Sequence, residues 1–403
     1  MPVDGPPSPS RVLEQILDFP AISLSTTERI HADFLFNQFI SYCEPLQNIS
    51  SPYERTTLVR LTYEHSQSKD VFLHLFFTFI DDNDGDNQAR HEAANFGRGL
   101  SRFAGFCSHA GRTPTRDREV EGMVNAFAEY LFENFFLPLK AAVSRTPQQT
   151  PTALPAPLLE NVIGTPARLS TLCRDCLVRD HNRCVVTRAF NFPEAANRAD
   201  RSASPKDDDE RPLDFDHDDF DELEVAHIIP RSIMSAKASG GQLELSKSKK
   251  IALSILNMLD PGVVHLIEGL NIDRPTNAIT LTGRAHECFG LFQISFEALD
   301  GSTHSEHTYR IHSSNQAVVQ MLKLPVTCTL FPSSNCSIDP PSPQLLALHR
   351  AIATILEFSG AGEYIDRIIR DMEELSVRND GSVELGRIVS LRLGGWLDGA
   401  AGR

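Results

Sequence analysis

Two histidines and one asparagine in the middle of this 403-residue chain have side chains suited to hydrolytic chemistry; they are His227, Asn277 and His286. An imidazole titrates near neutral pH, so it can take a proton from a water molecule or bind a metal ion. An asparagine amide can fix a loop through hydrogen bonds or offer its oxygen to a cation. These three side chains can act together only if the fold brings distant parts of the chain side by side.

Each of the three residues lies in a short segment with a clear structural preference. Residues 224–230 (EVAHIIP) are apolar and β-prone and end at a proline, which predicts a strand. Residues 277–282 (NAITLT) predict a second strand, with Asn277 at its start. Residues 284–289 (RAHECF) follow at once and predict a short helix that carries His286. The predicted order is strand, strand, helix, with one candidate residue on each.

A histidine on a first strand, an asparagine opening a second strand and a histidine on the next helix is the ββα-metal arrangement. On these residues the segment resembles the HNH endonuclease family, in particular the branch found as single HNH domains in many fungal proteins. Residues 179–187 (RDHNRCVVT) are also similar to the lead-in sequence of that branch. The resemblance spans residues 170–300, and it implies an α+β fold with a ββα-metal HNH core.

The resemblance also implies roles in the hydrolysis of a phosphodiester bond. His227 matches the general base that activates water, and His286 matches a ligand of one divalent metal ion. Asn277 matches the residue that orients the loop carrying the base, or ligates the metal in some members. Mg²⁺ is the expected ion, with Mn²⁺ and Zn²⁺ as alternatives. Nucleic acid is the expected substrate, DNA before RNA.

The chain departs from the family pattern at two positions. Many members place Asp or His immediately before the base as a second metal ligand, and here that position is Ala226. Because side chains alternate along a strand, Glu224 shares a face with Ala226 and is the candidate for the vacant ligand position. Many relatives also have Asp after the helix phenylalanine, where this chain has Gly290. Two interpretations therefore stay open: a metal-dependent endonuclease, or a catalytically inactive HNH-fold protein that serves as a binding scaffold.

Basic residues near the motif are candidates for binding nucleic acid. They are Arg231, Arg284, Lys249 and Lys250, although the two lysines can equally serve to keep a helix surface soluble. The chain as a whole is acidic, with a formal net charge of −15, which is unusual for a protein that grips DNA over a broad surface. Residues 207–222 hold much of this charge. They predict a mobile, solvated insert, or a segment that mimics phosphate and shields the site.

Composition and periodicity divide the rest of the chain. Before the domain, we expect a disordered start (1–10), an all-helical region (11–145) and a linker rich in Pro, Gln and Thr (146–167). The HNH nuclease-like domain is expected at 168–335, with an appended hairpin and with the acidic insert at 197–221. A C-terminal helical hairpin (336–378) and a tail (379–403) are expected to follow. The helical flanks offer a surface for a protein partner.

The sequence also predicts where the protein works. No apolar stretch behind basic residues marks a secretory signal, and the longest apolar run, residues 71–80, is shorter than the roughly 20 residues that cross a bilayer. We therefore expect an intracellular protein of the nucleus or cytoplasm. Its eight cysteines are expected to be reduced thiols.

Overall fold

The fold is described from a computed structural model of the chain. The described residues are 19, 22–47, 51–82, 92–108, 113–143, 166–235, 237–239, 242–299, 306–324, 327–330, 337–373 and 385–396. The expected disordered start at 1–10 lies outside them, as do most of the expected linker and parts of the expected tail.

Helices make up the N-terminal part of the described chain. Their bounds are α1 Thr26–Cys43, α2 Arg55–His65, α3 Lys69–Asp82, α4 Glu92–Ser108, α5 Pro114–Leu131 and α6 Leu137–Val143, with a π-helical turn at Phe132–Phe136 between the last two. Helix α1 begins at a capping box in which Ser25 and Glu28 satisfy each other's backbone N–H groups. Aromatic rings meet edge to face between the helices; the Phe36 and Phe76 centroids are 5.0 Å apart at 89°. Aromatic packing therefore holds this bundle together.

The central part mixes short strands and helices. Their bounds are α7 Pro166–Arg179, β1 Phe190–Asn191, α8 Phe192–Arg201, β2 Phe220–Asp221, β3 Leu223–His227, β4 Lys237–Ser239, β5 Gln242–Glu244, α9 Lys247–Leu259, α10 Val263–Ile267, β6 Ala278–Thr282 and α11 Gly283–Gly290. Two 3-10 turns, Gly269–Asp273 and Pro275–Asn277, lead into β6. Strands β3 and β6 with helix α11 form the predicted strand, strand, helix order.

Strands β3 and β6 form an antiparallel pair that is covered on both faces. Leu223 lies opposite Thr282, and His227 lies opposite Ala278. Val225 packs in a small cluster with Leu172 of α7. Its neighbour Ala226 points the other way, into the large core cluster that also contains Ala285 of α11. The β3–β6 pair is thus the middle layer between α7 and α11.

The described C-terminal part adds one more sheet and four helices. The bounds are β7 Ser295–Ala298, β8 Thr308–His312, α12 Gln316–Leu322, β9 Thr327–Thr329, α13 Pro343–Phe358, α14 Ala361–Glu373 and α15 Leu385–Leu393. The three strands form an antiparallel sheet in the order β7-β8-β9. After α15, the indole of Trp396 is buried and its Nε1 donates to Ser248 Oγ at 3.0 Å, which ties this end of the described chain to α9.

One connected cluster of buried apolar side chains joins the N-terminal helices, the central region and helices α13 and α14. The helical flanks therefore pack directly on the centre. The predicted α+β class is confirmed. Among the described helices, none is both long enough and apolar enough to cross a membrane.

The expectation of a solvated insert is wrong for Asp207, the first residue of the acidic segment, while Asp208, Asp209 and Glu210 are exposed. Asp207 is buried, pairs with Arg183 at 2.8 Å and accepts the backbone N–H groups of Asp209 and Arg211. Asp208 accepts a hydrogen bond from Arg198 at 2.7 Å. A carboxylate bonded in this way is stabilised inside the fold, so this run of like charge organises the local chain.

Candidate active site

Asn277 fixes the backbone just after the candidate base and the backbone of the turn before β6. Its Oδ1 accepts the N–H of Ile229 at 2.9 Å, and its Nδ2 donates to the carbonyls of Ile229 at 3.1 Å and Ile272 at 3.0 Å. The side chain is fully buried. Both ends of the amide are therefore committed to the loop after β3 and to the turn before β6. This geometry fits an orienting role and leaves no exposed oxygen to ligate a cation.

His227, at the end of β3, forms a pair with Asp273. Its Nε2 donates to Asp273 Oδ1 at 3.2 Å; the Asp273 side chain is 0% exposed and the imidazole is 15% exposed. Since a carboxylate accepts the Nε2–H, the neutral ring carries its lone pair on Nδ1. The pair leaves Nδ1 as the nitrogen that can take a proton.

Asp273 was not predicted from the sequence. It lies 46 residues from His227 and is brought there by the 3-10 turn Gly269–Asp273. The same turn is held by the bond from Asn277 to the carbonyl of Ile272, the residue before Asp273. The available signal was an acidic residue just upstream of Asn277, and Glu268 in the same connector offered a second one.

Glu224 and His286 form a second pair. The His286 Nδ1 donates to Glu224 Oε2 at 2.6 Å, and the side chains are 17% and 37% exposed, respectively. Helix α11 is placed for this contact by Thr282, whose Oγ1 caps the N–H of Ala285 at 3.4 Å. The hydrogen bond from His286 stabilises the anion and lowers the pKa of the Glu224 carboxyl. The pair leaves Nε2 of His286 available.

The structure therefore joins Glu224 with His286 and places His227 in a different pair. Residues 224 and 227 are an odd number of positions apart on β3, so their side chains leave opposite faces of the β3–β6 pair. His227 lies on the face toward α7, and Glu224 lies on the face toward α11. Asn277 contacts neither imidazole and acts only through the backbone.

The lead-in sequence has a structural part in this arrangement. Arg179 is fully buried, and its guanidinium donates two hydrogen bonds of 2.8 Å to the Asp180 carboxylate. It also donates to the carbonyls of Pro275 at 2.7 Å and Ala278 at 2.9 Å, on either side of Asn277. The end of α7 is thereby fastened to the start of β6, and the buried charge is fully compensated.

The α11 face offers few donor groups for a divalent cation. Within the described ranges, no group of three or more His, Cys, Asp or Glu side chains is arranged to hold a metal ion. Glu224 and His286 offer one carboxylate and one imidazole, both partly exposed. A cation that keeps several waters and takes the rest of its ligands from a phosphate needs no more than one or two protein donors. His286 Nε2 fits such an ion as a single protein ligand, with Glu224 fixing the ring from Nδ1, and the pair does not fit a closed structural site.

The predicted basic residues are distributed unevenly. Arg284 is exposed at the start of α11, while Arg231 and Lys250 are half-buried. The prediction that Lys249 lies on a binding surface is wrong. The residue is 2% exposed, and its Nζ donates to the carbonyl of Ser235 at 2.7 Å. Its charge is used inside the fold, to hold the end of the turn Arg231–Met234 that follows the base.

Residues 184–297 match the family model described as HNH endonuclease. No curated protein and no solved structure matches the chain. The matched range contains His227, Asn277 and His286 together with Asp273 and Glu224. Membership of this family implies nucleic acid binding, and HNH nucleases generally use a divalent metal ion. Together with the β3–β6–α11 core, the match shows that the chain carries a domain of the HNH endonuclease family.

Proposed function

We propose that the chain is a metal-dependent endonuclease that hydrolyses phosphodiester bonds in nucleic acid, with DNA as the first expected substrate. One observation carries the proposal. Two histidine–carboxylate pairs lie on opposite faces of one strand pair inside the matched domain. In-line displacement at phosphorus puts the attacking water and the leaving oxygen on opposite sides of one phosphate, so the base and the metal ligand must be separate groups that both reach that phosphate.

His227 is the proposed general base. Its free Nδ1 takes a proton from the attacking water, and the imidazolium that forms is stabilised through Nε2–H by the Asp273 carboxylate. Because Asp273 is buried, water cannot compete for this hydrogen bond. The carboxylate also keeps the ring in the tautomer that exposes Nδ1.

His286 Nε2 is the proposed ligand of the metal ion, and Glu224 is proposed to hold the ion through a metal-bound water, because a carboxylate bonded to Nδ1 lies across the ring from Nε2. A bound divalent ion supplies positive charge that offsets the phosphate and the developing leaving oxygen. Mg²⁺ is the proposed ion. Glu224 also fixes the imidazole through Nδ1, the contact that typically orients a ligating histidine. Arg284 and Arg231, which flank the centre in sequence, are proposed to contact phosphate oxygens.

Nicking of supercoiled plasmid by the purified protein with Mg²⁺ or Mn²⁺ tests the proposal. Wild-type protein should relax the plasmid and His227→Ala should not. His265→Ala is the matched control, because His265 also pairs with a carboxylate, Glu268, but lies on the surface with 69% of its side chain exposed. Equal nicking by His227→Ala and His265→Ala would remove the mechanism.

The alternative is a catalytically inactive HNH-fold scaffold that binds nucleic acid or protein. Ala226 and Gly290 favour it, since each stands where many relatives carry a metal-ligating or acidic side chain. Titration calorimetry with Mg²⁺ and Mn²⁺ near neutral pH separates the two functions. Absence of cation binding, with or without nucleic acid present, would support the scaffold.

A further inference from the structure

His349 of helix α13 is the most deeply buried histidine in the described chain and has no part in the chemistry above. Its ring lies between Phe289, at 4.0 Å and 7°, and Phe292, at 4.5 Å and 21° between ring planes. Its Nε2 donates to the carbonyl of Phe289 at 3.1 Å. Phe289 lies on α11 one turn after His286, so this contact joins α13 to the helix that carries the proposed metal ligand.

The end of α11 is in a conformation that needs outside support. Phe292 has φ +58°, in the left-handed region that a bulky side chain rarely adopts. Glycine normally occupies the left-handed position after a helix. Here the N–H of Phe292 bonds to the carbonyl of Phe289 at 3.0 Å, and the stacked imidazole holds the Phe292 ring in place. Such conformations persist where the surroundings fix them.

An imidazole is an energetically unfavourable side chain at this buried position. His349 Nδ1 is buried and has no hydrogen-bond partner. An unpaired buried acceptor is unfavourable, and a phenylalanine of similar shape would avoid it. Burial lowers the pKa of His349 to about 3, so the ring is neutral and its single N–H is the one that reaches Phe289. The residue type is therefore explained by the bond to α11 rather than by packing alone.

Helix α13 also holds the turn that leads into β6. The N–H of Ser342, at the start of α13, donates to the carbonyl of Thr276 at 2.8 Å, next to Asn277. The next residue after His349, Arg350, donates to Glu297 Oε1 on β7 at 2.7 Å. Contacts of one rigid helix thus reach the residue before Asn277, the turn after His286 and the strand beyond.

We infer that His349 is a positioning residue of the proposed nuclease centre, which locks the end of α11 and so sets how His286 meets Glu224. The expected effect of His349 on catalysis rests on the proposed function. The expected effect of His349 on the geometry of His286 does not. The C-terminal helical hairpin is, on this account, a working part of the centre.

Variants at two positions of α13 test the inference. His349→Phe keeps the ring stack and removes the donor, and His349→Gln restores an amide N–H. Ile355 is also fully buried but lies six residues on, about 120° around the helix from His349. Ile355→Val and Ile355→Ala lower stability by cavity formation without touching the α11 contact, so one of them can be matched in melting temperature to His349→Phe.

Two readouts are compared well below the melting temperatures. In plasmid nicking, His349→Phe should lose about tenfold or more in rate at saturating Mg²⁺, as expected when a reacting group is displaced, while His349→Gln regains most of it. The stability-matched Ile355 variant should nick at the wild-type rate. In nitrogen-15 NMR of the imidazoles, the His286 resonances should shift in His349→Phe and stay unchanged in the Ile355 variant.

The two readouts distinguish a failure of the proposed function from a failure of the inference about His349. No nicking by any protein, wild type included, would remove the proposed function, and the His286 resonances would still decide whether His349 positions that ring. Unchanged His286 resonances in His349→Phe would overturn the inference, whatever the nicking result. Equal shifts in the matched Ile355 variant would overturn it as well, because they would show a general effect of lost stability.

Discussion

The two faces of the β3–β6 pair use the same two functional groups in opposite ways. Toward α7, His227 is bonded through Nε2 to a carboxylate, Asp273, whose side chain is 0% exposed. Toward α11, His286 is bonded through Nδ1 to a carboxylate, Glu224, whose side chain is 37% exposed. The first pair presents Nδ1, and the second presents Nε2. The role of each pair therefore depends less on residue type than on two features. These are the imidazole nitrogen that the carboxylate binds and the degree to which that carboxylate is buried.

This difference in burial separates the functions that the pairs can serve. A carboxylate sealed from water can only orient its histidine and stabilise the charge that the histidine acquires. A half-exposed carboxylate can also turn an oxygen to a hydrated cation. We therefore assign proton transfer to the face toward α7 and metal binding to the face toward α11. A change in one pair should therefore alter a property that belongs to only one of the two functions.

Replacing the proposed base should have the largest effect. His227→Ala should lower the single-turnover nicking rate by about 10²–10⁴-fold, the usual contribution of a general base. The half-saturating Mg²⁺ concentration should not change, because His227 lies on the other face. Single-turnover kinetics over a Mg²⁺ series measures both quantities. If His227→Ala nicks at the wild-type rate at a higher Mg²⁺ concentration, the assignment is contradicted.

Replacing the buried carboxylate should have the next largest effect. Asp273→Asn removes the charge that stabilises the imidazolium and can turn the ring to the wrong tautomer, so we expect a loss of about a hundredfold in the same rate. Asp207→Asn is the matched control, because Asp207 is a buried, ion-paired carboxylate in the same domain but away from His227. If the two variants lose activity equally, the loss reflects folding and not the orientation of His227.

A third imidazole, His349, bonds to a backbone carbonyl instead of a carboxylate, and its burial should make the fold sensitive to acid. Its folded-state pKa of about 3 lies below the unfolded value of about 6.5, so only the unfolded chain takes up the proton as the pH falls. Stability is then lost as the pH falls from 6.5 toward 3. Between pH 7 and pH 5, wild type should lose about 2 kcal/mol more than His349→Phe.

Urea unfolding at the two pH values measures this difference, and other titrating groups cancel between the two proteins. Equal acid sensitivity of wild type and His349→Phe would show that His349 is not held neutral in the fold. In that case the hydrogen bond to Phe289 would no longer explain the residue.

The smallest predicted change concerns the exposed carboxylate. Glu224→Gln keeps an oxygen that can accept the His286 Nδ1–H but removes the negative charge. We expect the half-saturating Mg²⁺ concentration to rise about tenfold while the rate at saturating Mg²⁺ is largely kept. Glu222→Gln, on an exposed residue outside the pair, is the control. A lower rate at saturating Mg²⁺ with no change in metal dependence would assign Glu224 to the chemistry of the other face.

Local pattern was sufficient to predict the core and the positions of its histidines. The apolar run around His227 and the β-prone run after Asn277 form strands β3 and β6, and His286 lies on the helix predicted for it. Alternation along a strand also separated the side of Glu224 from that of His227. These features depend on neighbours in sequence, so the sequence alone carries them.

Features that depend on distant partners could not be predicted in the same way. Asp273 reaches His227 only because Asn277 and Arg179 fasten the turns before β6. Lys249 lies in the polar first turn of a helix and resembles a surface lysine, but its side chain is buried and donates to the carbonyl of Ser235. Asp207 looks solvated because its partner, Arg183, lies elsewhere in the sequence. In each case a long-range hydrogen bond overrides the local preference.

Cation binding by single-histidine variants tests the separation of the two faces most directly. Mn²⁺ is titrated by calorimetry into wild type, His286→Ala and His227→Ala, in the presence of a non-cleavable oligonucleotide. We predict that His286→Ala weakens Mn²⁺ binding by at least about tenfold and that His227→Ala leaves it unchanged. The reverse order, or equal loss in both variants, would contradict the account, since the two imidazoles would then serve one site.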